Sequence, residues 1–126
     1  MLEDPTISML WRGLDVAAFR QELLAHNIAN ADTPGYRRVD LSFAAFLDKA
    51  EEDLPMARTN PAHLANPQGT PAIQVARTDG PARTDGNTVV IEAEMARLSQ
   101  NAMYYQALAA QLAKHFALLN TAISGR

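Results

Sequence analysis

The sequence predicts a mainly α-helical protein: long N-terminal and C-terminal helices packed as a coiled-coil-like pair, joined by an irregular, proline-rich middle segment with at most short strands. Three observations predict it. Apolar residues recur at helical spacing from Ile7 to Ala31, and a longer four-three alternation of apolar residues runs from Ile91 to Ile123. Between them, Pro55, Pro61, Pro67, Pro71 and Pro81 forbid a long helix. A chain of 126 residues has the size of one domain, and by character it divides into residues 1–31, 32–87 and 88–126.

In the first segment the stripe is Ile7, Leu10, Leu14, Ala17, Leu24, Ile28 and Ala31, broken only by Gln21. Asp4 and Pro5 suit a helix cap and first turn. Gly13 lies inside, at a cost of about 1 kcal/mol relative to alanine. The helix is expected to stop at Asp32-Thr33-Pro34-Gly35, because Pro34 disfavours helical geometry at Thr33 and Gly35 permits a turn.

A short amphipathic piece, Leu41 to Leu47, leads to the acidic run Glu51-Glu52-Asp53 and then to the prolines. Ile73-Gln74-Val75 is a candidate strand, with Asp79-Gly80 and Asp85-Gly86-Asn87 as turns.

The third segment carries the strongest pattern: Ile91, Met95, Leu98, Ala102, Tyr105, Ala109, Leu112, Phe116, Leu119 and Ile123. Thr88 is the expected cap, Glu92 and Glu94 complement the helix dipole, and Gly125 stands past the end. Such a helix runs ~50 Å, long for a compact domain of this size. Burying this seam represents on the order of 15 to 25 kcal/mol of gross driving force. The shorter N-terminal helix covers only part of it. Ala93, Met103, Ala107, Ala110, Ala117 and Leu118 add apolar or small surface off the seam, so helix neighbours from other subunits are expected on more than one side.

Composition narrows the function. The net charge of −3 is spread along the chain, without the basic stripe that a phosphate backbone requires. Nucleic acid is not an expected partner. The absence of cysteine removes disulfides, thiolate nucleophiles and sulfur-ligated zinc. The acidic opening Met1-Leu2-Glu3-Asp4 and the charges within every apolar run read as neither a cleavable signal peptide nor a membrane span. His26, His63 and His115 lack metal-ligand spacing, and Asp79, Asp85 and Asn87 lack the rest of a calcium loop. Ser8, Ser42, Ser99 and Ser124 lie outside any nucleophile-elbow context, and no acid and base are brought together. No catalytic residue, cofactor, metal or small-molecule substrate is expected.

The stretch from His26 to Arg38 resembles the signature of the bacterial flagellar basal-body rod, hook and hook-associated proteins. Their Ala-Asn-x-x-Thr-Pro-Gly-Tyr pattern is met by Ala29, Asn30, Thr33, Pro34, Gly35 and Tyr36. Asp85-Gly86-Asn87-Thr88-Val89, Glu94-Met95, Asn101, Tyr105-Gln106-Ala107-Leu108 and Ala122-Ile123 extend the likeness to the short proximal-rod members of that group. Val90 departs from the pattern, which usually has an acidic residue there. Residues from about Lys49 to Arg83 carry no diagnostic likeness.

The resemblance implies a subunit of the periplasmic rod, the drive shaft that transmits torque from motor to hook. Its implied partners are other copies of itself, other flagellar rod proteins, the membrane-ring adaptor at the rod base, and the flagellar type III export apparatus, which accepts chains without a cleavable signal peptide. The expected assembly residues are Asn27, Asn30, Thr33, Pro34, Gly35, Tyr36, Met95, Leu98, Tyr105, Leu112, Phe116, Leu119 and Ile123. Asn27 and Asn30 are expected to pin the exiting backbone, with Tyr36 anchored on a neighbouring helix. Tyr105 and Phe116 suit packing within the chain or between subunits, and Asn101, Gln106 and Gln111 suit contacts between subunits or solvent. The competing reading is a soluble helical adaptor or chaperone-like module holding a partner helix on the same faces. A dilute rod subunit is expected to be monomeric and largely disordered until it assembles.

Overall fold

The computed structural model describes residues 4–41, 75–77 and 80–125. Helix α1 spans Pro5–Ala29, strand β1 Val39–Asp40, strand β2 Ala76–Arg77 and helix α2 Ile91–Ser124. The Asp4 side chain caps α1 by accepting from the Thr6 N–H at 2.9 Å, and Pro5 opens the first turn. The helix stops at Ala29, two residues before its apolar stripe ends. There Asn30 donates from both its backbone and its side chain to the carbonyl of His26, at 3.1 and 2.8 Å. Those bonds satisfy carbonyls of the last turn, and a turn through Gly35, at φ +72°, follows.

Hydrogen bonds fix the pairing of the helices. Asn27 on α1 donates to Glu94 on α2, and Asn101 on α2 donates to Gln21 on α1. Residue numbers fall along α1 as they rise along α2, so the pair is antiparallel. The buried apolar residues are Leu14, Val16, Ala17 and Leu24 on α1, Leu112 on α2, and Ala31, Leu41 and Val89 near the turn. Gln21, the interruption in the α1 stripe, is the partner that the buried Asn101 amide requires.

Several expectations are corrected. The face that α2 buries is marked by Glu94, Asn101 and Leu112, one residue round the helix from much of the apolar seam. Two polar side chains occupy it because α1 and the segment after it supply partners for both. Asn101 therefore bonds within the chain. Thr88 does not cap α2: its Oγ1 accepts from the Arg38 N–H at 2.9 Å, and the helix starts after Val90 with no side-chain cap. The short strand is Ala76–Arg77, antiparallel to β1 with Val39 opposite Arg77. Val75 precedes it outside the ladder, because the antiparallel register with Val39–Asp40 is carried by Ala76 and Arg77. Ile73, Gln74, most of the Leu41–Leu47 piece, the acidic run, Asp79, His63 and all the middle prolines but Pro81 lie outside the described residues. The expected Asp85-Gly86-Asn87 turn lies within a tighter loop from Arg83 to Asn87, closed by the Gly86 N–H donating to the Arg83 carbonyl at 2.8 Å and the Arg83 N–H to the Asn87 carbonyl at 2.9 Å.

Candidate functional site

Successive side chains of an extended segment alternate, so Arg38 and Asp40 project to one side of β1. Arg38 Nε donates to Glu94 Oε1 at 2.7 Å and its Nη2 to Asp40 Oδ2 at 3.0 Å. Arg20 grips the same Asp40 with a two-pronged contact, at 2.9 and 3.1 Å. Glu94 is 0% exposed. It also accepts from Asn27 Nδ2 at 2.9 Å and from Arg97 Nη1 at 2.6 Å. The cluster ties α1, the segment leaving it and the first turns of α2 together. Each buried charge has charged or amide partners, the condition under which burial is tolerated.

The electrostatics follow from those contacts. Burial alone would push the Asp40 carboxyl up, but hydrogen bonds from Arg20 and Arg38 hold it below its ordinary value. The hydrogen bond from Arg20 to Asp40 raises the Arg20 pKa against its own burial. For Arg38, burial lowers the pKa, and the bonds to Glu94 and Asp40 more than offset it. Both guanidinium groups are fixed charges.

A second set of bonds holds the Thr33–Tyr36 turn. Asn87 Nδ2 is shared among the carbonyls of Asn30, Ala31 and Thr33 at 3.0, 3.0 and 2.8 Å. Its Oδ1 accepts from the Val89 N–H at 2.7 Å. Gly35 N–H donates to the Asp85 carbonyl at 2.9 Å, Thr88 N–H donates to the Tyr36 carbonyl at 3.1 Å, and Arg83 donates to the Ala31 carbonyl. The loop before α2 is thus laced to the loop after α1.

Among the residues expected at the site, Asn27 is central. Its Nδ2 donates to the Val39 carbonyl at 2.7 Å while its Oδ1 accepts from the Val39 N–H at 3.0 Å, in the manner of a strand partner. Asn30 Oδ1 accepts from Thr33 Oγ1 at 3.2 Å. Pro34 and Gly35 are exposed. Tyr36 is half-buried, and its hydroxyl donates to Asn27 Oδ1 at 3.2 Å, a contact within the chain. The α2 residues lie elsewhere. Leu112 is buried and Leu98 half-buried, whereas Met95, Tyr105, Phe116, Leu119 and Ile123 are exposed. The expected residues therefore fall into two groups, a junction and a set of mostly exposed apolar residues along α2. Sequence reasoning missed Arg20, Arg38, Asp40 and Glu94 as one network, and Asn87 as the centre of the second set of bonds. A readable signal was Glu94 and Asn101, polar residues seven apart on a helix otherwise judged by its apolar rows.

Chemically the junction is a clamp of ion pairs and amides. Among the described residues, no three of His, Asp or Glu are grouped to hold a metal ion, and no helix is long and apolar enough to cross a membrane.

Comparison with known proteins places this geometry in context. The family described as flagella basal body rod protein matches residues 11–37, from α1 through the Thr33–Tyr36 turn. The chain is 34% identical over 122 residues to the flagellar basal body rod protein FlgB of Bacillus subtilis (strain 168), covering 95% of this chain and 94% of that one. It is 35% identical over 113 residues to the FlgB of Escherichia coli (strain K12), covering 82% and 81%. The FlgB of Borrelia hermsii is 32% identical over 128 residues, covering 94% and 95%.

Proposed function

The chain belongs to the FlgB family of flagellar basal body rod proteins and is a structural subunit of the flagellar rod, and from that premise we propose how its two groups of residues share the work. The junction of Asn27, Asn30 and Thr33–Tyr36 sets the angle between the helices, and the exposed apolar residues of α2 meet neighbours. One observation carries this reading: Met95, Met103, Tyr105, Phe116, Leu118, Leu119 and Ile123 are exposed on α2, with Phe116, Leu119 and Ile123 continuing the row of the buried Leu112 toward and past the end of α1. Leu112, buried in the pair, serves the intrachain contact.

In this reading the neighbours are copies of the chain and other rod proteins, with the membrane-ring adaptor at the rod base. The chain reaches the periplasm through the flagellar type III export apparatus and transmits torque there. Residues 1–31 and 88–126 act as the assembling helices and 32–87 as their connector. Its role is mechanical, without catalysis. The adaptor reading is set aside by the family membership.

Deleting the gene should abolish hook and filament, and normal flagella in the deletion would sink the assignment. Tyr36→Ala should block rod assembly while leaving export of the chain intact. Unchanged motility would count against a role for Tyr36 in setting the junction.

A further inference from the structure

We draw no further inference here: the strongest candidate, the cleft between α1 and α2 lined by Ala17, Ala18, Gln21, Asn101, Ala102 and Tyr105, carries nothing because nothing in the structure shows what covers it.

Discussion

Asn27 and Glu94 meet across the helix pair at 2.9 Å, an amide donating to a carboxylate sixty-seven residues away, and both side chains are fully buried. The contact joins the end of α1 to the start of α2. Arg38 completes it from the connecting segment with a 2.7 Å bond to the same carboxylate. Removing the carboxylate therefore takes an acceptor from three donors at once, on Asn27, Arg38 and Arg97.

Glu94→Ala should destabilise the paired state by about 3–5 kcal/mol, the usual cost of breaking a buried ion pair from one side. Glu94→Gln retains an acceptor and should cost less. The readout is the heat-dissociation midpoint of isolated basal-body rods, with hook counts per cell alongside. Equal midpoints for Glu94→Ala and the natural chain would show that the cluster does not hold the pair.

Acid should weaken the same junction through Asp40. Its folded pKa lies below the ordinary value near 3.8, because Arg20 and Arg38 favour the ionised form against burial. A depressed carboxylate pKa contributes stability that is complete above the unfolded pKa and disappears as pH falls through the folded one. Rods should therefore lose stability as pH falls below about 4, and Asp40→Asn should flatten that part of the profile. An Asp40→Asn profile parallel to that of the natural chain down to pH ~2 would refute the assignment.

Which parts of this architecture were legible beforehand follows from what one-dimensional patterns encode. The two helices declared themselves through apolar spacing, and the turn after α1 through Pro34 and Gly35, although the helix itself stops earlier, at Ala29. Periodicity ranks faces by hydrophobicity, however, and α2 buries Glu94 and Asn101 while Met95 stays outside. That inversion arises from partners distant in sequence. Glu94 is buried because Arg38, fifty-six residues earlier, neutralises it, and Asn101 because Ala17 and Gln21 accept from it. No local window contains both members of such a pair. Asn87 read as a turn residue for the same reason: the three carbonyls that it serves lie beyond the middle segment.

Val90 offers a gain in stability. It occupies the cap of α2 in extended geometry, φ −112° and ψ 108°, with half its surface exposed and no side-chain bond to the helix. Aspartate in that conformation can accept from the N–H groups of the first turn and complements the helix dipole. Val90→Asp should stabilise α2 by about 1 kcal/mol, seen as a rise in helix content of the purified chain by circular dichroism. A fall in helicity would mean that the valine makes a contact worth more than the cap.

The last prediction concerns the lacing of the two loops. Asn87 is 0% exposed and supplies a donor to three carbonyls after α1 while its own oxygen holds the Val89 N–H. Asn87→Ala leaves those groups without it and should cost about 1–3 kcal/mol. Asn87→Asp should cost more, because it places a second acceptor, usually charged, where a donor is needed. Gly35 is the milder control: its φ of +72° strains any side chain, but a Cβ there meets nothing within 4 Å. Gly35→Ala should cost about 1 kcal/mol and Gly35→Asn less, since asparagine tolerates left-handed geometry. Thermal midpoints of the assembled rods should rank the natural chain first, then Gly35→Asn, Gly35→Ala, Asn87→Ala and Asn87→Asp. If Asn87→Asp were as stable as Gly35→Asn, the asparagine would be an ordinary turn residue, and the lacing would reside in the backbone bonds of Gly35 and Thr88 alone.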